Sequence, residues 1–562
     1  MGEPHDPGCT SPAAVALASQ LGLSFTVAEV LCRAGYGADE RTARFLDPKL
    51  AHLTPPDAMA GREAAVERLA QAVRRHERVV VFGDYDCDGI TATAIITELL
   101  RELGAEVVPL LGSRFAGGYG FTAAALGRVL AAGAGLLVTC DCGSSDHERL
   151  GAAKAAGLDV VVIDHHLGPA EPLPVTAFVN PKQPSCGFPY KGMATCGLAL
   201  IVAAGLRRTL DATLDIRRWL DLVAIGTVAD VAPLDGDNRI LVRAGLGLLQ
   251  SAPRPGLRAL LDRARRGREL PVRAEDIAFQ LAPRLNAPGR LGDPTVALEL
   301  LLERDPVRAA ELAAAVDQLG SERRRIQSTM LAEALAEIAR SGLGEGPGIV
   351  LGRAGWHPGV VGIVAGRLAE QFGRPAVVVA LDGEHARGSA RAPAGFPLYD
   401  SLARCAGSLV GFGGHQAAAG LELRADAVER FRAQWLTACT ELGSGLLRPA
   451  ADRVQADVRL DERDDLAQVV SDLERLEPCG EGNPAPRVLL AAVSVRSARD
   501  VGGHLKLELA LGQARLGGFA PNLGARAGEL AGARLGLVGK LRRDHWRGGQ
   551  AVEVLVDDWV AS

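Results

Sequence analysis

Four short apolar runs between residues 78 and 164, RVVVFG, AEVVPLL, GLLVTC and LDVVVID, alternate with segments of helical periodicity, and this alternation restricts the fold more tightly than anything else in the chain. The helical segments are expected over residues 91–103, after Gly120 and over 148–156. Strands that alternate with helices form an α/β domain with a mainly parallel sheet. Ligands of such sheets collect beyond the carboxyl ends of the strands. In this chain the acidic residues lie there: Asp84, Asp86 and Asp88 follow the first run, Asp141 follows the third, and Asp164-His165-His166 follows the fourth.

The stretch DYDCDG has the opening spacing of an EF-hand loop, but the twelfth position from Asp84 is Ile95, where calcium needs a bidentate Glu. It also follows a strand, not a helix. Taken singly, Asp86 or Asp88 would be a helix cap, and Asp230 in GTVADVAPL would be one too. Repetition at successive strand ends changes that reading. Asp84, Asp86, Asp88, Asp141, His165 and Asp230 form an oxygen-rich set whose mutual repulsion a cation would relieve. Carboxylates with one or two imidazoles suit Mn²⁺ or Mg²⁺ better than zinc. Two such ions could stabilise the attacking and leaving oxygens of a phosphoester displacement.

At 562 residues the chain is expected to hold about three domains. A mainly helical region from about 196 to 345 contains the charged stretch GSERRRIQ in a long connecting helix. A second α/β unit runs from GIVLGR near 348 to about 445, and alternating segments such as GHLKLELAL and QAVEVLVDDW beyond 452 suggest a small all-β barrel. No G-x-x-x-x-G-K-[ST] loop is present, so ATP hydrolysis is not supported. The balance of 62 Lys+Arg against 67 Asp+Glu leaves a net charge of -5, so a polyanion would need a local basic groove. Ten cysteines without a C-x-x-C pair argue for buried thiols over zinc or disulfides. With no export signal at the N-terminus and no run long enough to span a membrane, a cytoplasmic location is expected.

The segments GDYDCDGIT, VTCDCGSSDHE, VIDHH and TVADVAPLDGDNR, in that order, resemble the four motifs of the DHH phosphoesterase superfamily. APRLNAPGR, GWHPGVVGIVAGR, GSAR, GFGGHQAAAG and EPCGEGNPAP resemble its RecJ branch, the single-stranded-DNA-specific exonucleases. The resemblance implies an N-terminal segment (1–59), a DHH catalytic domain (60–235), a helical region with a connecting helix (236–345), a smaller α/β DHHA1 domain (346–447) and an OB-fold (452–562). It implies a metal-dependent 5′ to 3′ exonuclease acting on single-stranded DNA in repair and recombination, as a monomer. Residue by residue, it implies that Asp84, Asp86, Asp88, Asp141, His165, His166 and Asp230 are catalytic, with His166 or one of the first three standing behind the ligands. Ala392 stands where many relatives carry Ser, which removes one hydroxyl.

Tyr119, Asn286, Arg290, Ser389, Arg391 and His415, and with less support from its motif Arg284, are the polar groups expected along the substrate strand. Trp356 fits a stacking surface or the core equally. Lys540-Leu541-Arg542-Arg543 is the expected phosphate track of the barrel. Since no motor is recognisable, a helicase and a single-stranded-DNA-binding protein are expected partners. Two other readings compete: a DHH phosphodiesterase for short oligonucleotides or cyclic dinucleotides, and a non-catalytic scaffold. The barrel weighs against the first, and the intact acidic motifs against the second.

Overall fold

A computed structural model describes residues 11–116, 118–168, 171–265, 271–414, 417–443, 455–545 and 548–561. The four apolar runs are strands β1 (Arg78–Gly83), β2 (Glu106–Leu111), β3 (Leu136–Cys140) and β4 (Asp159–Ile163), joined at one edge by β5 (Ala177–Val179). They pair in parallel in the order β2-β1-β3-β4-β5. Every residue of β1 after Arg78 is buried, and all of β3 is. Burial on both faces explains why these runs are continuously apolar. The helix Cys87–Glu102 packs on one face and the helices Ala123–Ala131 and His147–Ala155 on the other.

Strand order reverses at β1: the chain moves outward to β2, then returns past β1 to β3. The crevice at such a reversal is where open parallel sheets receive ligands. Backbone pairing continues one step beyond each strand there. The N–H of Asp84 donates to the Cys140 carbonyl (3.1 Å), that of Asp141 to Ile163 (3.0 Å) and that of Asp164 to Val179 (3.1 Å). Three carboxylates therefore leave the sheet at one level. The first helix starts at Cys87, four residues earlier than its apolar periodicity suggests, because the Asp86 carboxylate accepts from the N–H groups of Asp88 (3.0 Å) and Gly89 (3.2 Å). Gly89 is required, since a Cβ would lie 2.6 Å from the Asp84 carbonyl oxygen.

A 36-residue helix, Pro306–Ser341, crosses from the first domain to the second. There β6 (Ile349–Ala354), β7 (Ala376–Asp382), β8 (His385–Arg391), β9 (Gly411–Gly414) and β10 (Ala418–Arg424) form a mixed sheet in the order β6-β7-β8-β10-β9, only β6 and β7 being parallel. Trp356 belongs to the core: it is buried, and its indole N–H donates to Glu333 of the long helix (2.8 Å).

The C-terminal strands are β11 (Val458–Leu460), β12 (Val488–Val501), β13 (His504–Leu511), β14 (Ala514–Ala520), β15 (Arg534–Arg543) and β16 (Val552–Ala561). Pairing of β12 with β15 closes β12 to β16 into a five-stranded barrel, to which β11 adds alongside β12. The helices Pro12–Leu21, Phe25–Arg33 and Glu40–Leu46 pack on this barrel, where Leu17, Val27 and Leu31 share a core with Leu490 and Leu537. Among the described residues no single helix is long and apolar enough to cross a membrane, and the described cysteines are free thiols.

Candidate active site

The acidic loops meet above the β1–β3 crevice. His165 Nε2 lies 3.4 Å from Asp141 Oδ1, 3.6 Å from Asp230 Oδ2 and 4.0 Å from Asp88 Oδ2. Three donor sets are compact enough to hold an ion: Asp84/Asp86/Asp141, Asp88/His165/Asp230 and Asp141/His165/His166. Asp141 thus stands between two centres. Its backbone is left-handed (φ 63°), a strained conformation that Asp tolerates better than most residues and that turns the carboxylate into the crevice.

Several side chains hold this cluster in place. The Asp88 carboxylate accepts from the N–H groups of Thr195 (2.7 Å) and Cys196 (2.9 Å), at the start of the helix Thr195–Thr209. The Thr195 hydroxyl donates to Asp141 (3.0 Å). Asp164 accepts from the backbone of Ser144, His165 and His166 and from His166 Nδ1 at 2.8 Å. Burial opposes its ionisation, but these hydrogen bonds and the neighbouring imidazoles hold its carboxyl well below the usual range. Thr195 is one residue that sequence reasoning missed. Its only signal, a hydroxyl at a helix start, is common.

The cluster fits divalent metal. Asp84 Oδ1 and His165 Nε2 are buried without a hydrogen-bond partner, which is costly unless something else meets them. Burial and the neighbouring carboxylates push Asp84 and Asp141 well above the carboxylate range, and Asp230 up to about 9. Groups raised on folding stabilise the fold below their unfolded value and lose that contribution as pH rises through the folded one. In EDTA the melting temperature should therefore fall by several degrees between pH 7 and 9. With saturating Mn²⁺ that fall should shrink, so the stabilisation by metal grows with pH; paired thermal melts check both.

Across the cleft the mixed-sheet domain presents Arg391. Arg391 donates to Ser389 Oγ (2.7 Å) and to the Ala390 carbonyl (2.8 Å), and both side chains lie over the start of the helix Val361–Phe372, where a Cβ on Gly362 would be 3.0 Å from each. Gly359 allows the two domains to touch backbone to backbone, since its Cβ would fall 1.8 Å from the Arg290 carbonyl oxygen. Burial and the charges of Arg114, Arg323 and Arg391 lower Arg290 to about 10. Arg114 stacks on Tyr85, 4.5 Å from the ring centroid. Sequence reasoning missed Arg114, which no motif marks.

Other expectations are redirected. Arg284 makes an ion pair with Asp317 on the long helix (2.8 Å) and donates to the Gln280 carbonyl (2.8 Å), so it supports that helix. Tyr119 is 51% exposed, and its hydroxyl bonds to His166 Nδ1 (2.9 Å) and the Asp141 carbonyl (3.1 Å), which ties the ring to the acidic cluster. Arg542 and Arg543 are paired with Glu553 and Glu474, and of the expected phosphate track Lys540, Leu541 and Arg542 line a cavity that also touches the helix Leu220–Ala229. Asn286 lines that cavity, with its buried Oδ1 unpartnered. His415 lies outside the described residues.

An acidic cluster at the switch point of a parallel sheet, faced across a cleft by a second α/β domain, defines a DHH-type phosphoesterase. Family models agree: the DHH family N-terminal domain matches residues 78–227, the DHHA1 domain 345–440 and the RecJ OB domain 456–558. The chain is 35% identical over 557 residues to the single-stranded-DNA-specific exonuclease RecJ of Bacillus subtilis (strain 168), covering 97% of this chain and 69% of that protein. It is 35% identical to the RecJ of Escherichia coli (strain K12), over 92% and 93% of the two chains. The crystal structure of RecJ from Thermus thermophilus in complex with Mn²⁺ matches with a TM-score of 0.82 at 31% identity, over 98% of this chain and 78% of that one. The corresponding Mg²⁺ complex matches with a TM-score of 0.76 at 30% identity, over 98% and 77%. The chain belongs to the RecJ family of single-stranded-DNA-specific exonucleases.

Proposed function

We propose that this enzyme removes nucleotides from the 5′ end of single-stranded DNA, using two Mn²⁺ or Mg²⁺ ions held by Asp84, Asp86, Asp88, Asp141, His165 and Asp230. Bound there, the ions supply Lewis acidity and lower the pKa of water at the scissile phosphate. The protein's own contribution is placement. Thr195 and the left-handed backbone hold Asp141, Asp164 fixes the ring of His166, and the Tyr119 hydroxyl joins His166 to the Asp141 loop.

The observation that carries the end specificity is the group of cations beside the cluster. Arg290 and Arg391 have no carboxylate partner among the described residues, Arg114 adds its charge to theirs, and Arg391 and Ser389 lie over a helix N-terminus, so this corner favours a terminal phosphate. A charge-assisted hydrogen bond contributes about 1.5 to 3 kcal/mol. Arg391→Ala should therefore lose roughly tenfold or more in kcat/KM on 5′-phosphorylated strands and little on 5′-hydroxyl strands. Equal slowing of both would remove the end-sensing role. A time course on 5′- and 3′-labelled oligonucleotides tests polarity and separates this reading from an oligonucleotide or cyclic-dinucleotide phosphodiesterase.

The proposal extends to a cytoplasmic monomer working in repair and recombination beside a helicase and a single-stranded-DNA-binding protein. The helicase alone follows from the sequence, which holds no nucleotide-hydrolysing motif, so duplex ends would have to be opened by another motor.

A further inference from the structure

Phe279 is 72% exposed, more than any other large apolar side chain among the described residues. It sits on a single π-helical turn, Ile277–Leu281, whose ends Ile277 and Leu281 are fully buried. Two positions from each, Phe279 is thrown to the opposite side. Such turns are rare and occur often at functional sites. A second residue breaks the same rule nearby. Val231, directly after Asp230, is 63% exposed, and its φ of 58° is a true outlier for a β-branched side chain.

Both side chains line one cavity of about 910 Å³, which runs from the end of the helix Leu220–Ala229 beside the acidic cluster to the barrel. Its polar lining includes Arg290 and Arg323, which have no carboxylate partner among the described residues, together with Lys540, the unpartnered amide oxygen of Asn286 and the acidic residues Glu275, Asp457, Glu477 and Glu481. A solvent-facing ring and an aliphatic group among cations and a hydrogen-bond acceptor match the chemistry of a single-stranded nucleic acid, whose bases offer apolar faces and whose backbone offers charge.

We propose that Phe279 stacks on one base of the substrate strand, 3′ of the scissile phosphate, with Val231 as an apolar wall beside it, and that this contact sets the register in which the 5′ end reaches the carboxylates. Phe279 is then a positioning residue that acts through the substrate. The inference rests on the single-strand exonuclease reading above and adds a base contact to it.

The test scans one abasic site through successive positions of a 5′-phosphorylated oligonucleotide and measures single-turnover kcat/KM with Mn²⁺. Loss of one stacked base should slow the wild-type enzyme about tenfold at one or two adjacent positions, in line with ~1–3 kcal/mol per stacked base. Phe279→Ala should slow cleavage of the intact strand by the same factor and abolish the extra penalty of the abasic site. Phe279→Trp should restore both. Because the ring is exposed, the Ala variant should melt at the wild-type temperature. If Phe279→Ala keeps the full abasic penalty, or slows intact and abasic strands equally, the stacking role is overturned while the exonuclease reading stands. Failure of the wild-type enzyme to shorten any single strand would overturn both.

Discussion

Asp141→Asn is expected to lower exonuclease turnover by roughly a thousandfold while leaving the binding of single-stranded DNA largely intact. This carboxylate belongs to two of the three compact donor sets, so its loss weakens both centres at once. Removing one preorganised charge-stabilising group from an active site costs on the order of 10²–10³ in rate, and a shared ligand lies at or above that limit. Asn keeps the size of the side chain and, like Asp, tolerates the left-handed backbone at this position (φ 63°). The fold should not suffer, because burial and the charges of Asp88 and Asp86 push the Asp141 carboxyl up, and its removal relieves that repulsion. In EDTA the variant should melt at or above the wild-type temperature. Single-turnover rates, Mn²⁺ titration calorimetry and strand affinity in EDTA check the three parts. Wild-type turnover by the variant would sink the two-ion site.

Arg239→Met should destabilise the protein by about 3–5 kcal/mol and separate the melting of the C-terminal barrel from that of the first domain. Arg239 is almost fully buried, and its guanidinium donates to five backbone carbonyls: Phe45 (2.9 Å), Leu476 (2.8 Å), Pro478 (3.2 Å), Arg475 (3.2 Å) and Glu477 (2.9 Å). It also lies 3.8 Å from the centroid of the Phe45 ring. Four of those carbonyls follow the helix Leu466–Glu474, where the helix dipole favours a cation. Without a carboxylate near enough to offset burial, the side chain is lowered to about 10 and stays charged at neutral pH. Met fills part of the space but leaves the carbonyls buried and unmet, each a loss of ~1–3 kcal/mol before relaxation. Arg239→Lys keeps the charge with fewer donors and should fall between. Calorimetry reads the result: a single unshifted transition in the Met variant would show that the clamp contributes nothing.

Much of the site was legible because its signals are local. A β-branched run ending in a carboxylate is read within six residues, and Asp84, Asp141 and His165 could be placed at strand ends before any sheet was built. The exclusion of calcium at DYDCDG rested on one position, Ile95. Where a side chain had a choice of partners, sequence offered no way to decide. Arg284 and Arg290 stand in one motif, yet the first pairs with Asp317, 33 residues away, and the second packs under Gly359, 69 residues away. Nor does the basic run at 540–543 show that Arg542 and Arg543 meet Glu553 and Glu474.

By itself the sequence determined the strands, the order of the acidic loops, the two α/β units and the closing barrel, because side-chain periodicity and the residues that end a strand act over a few positions. Only the tertiary structure decided that residues 12–46 pack on a barrel more than 400 positions later, that Arg239 of the fourth acidic motif holds the EPCGEGNPAP segment, and that Phe279 faces water. Those outcomes depend on which buried polar groups find partners across the folded chain, and on the few places where an apolar side chain finds none.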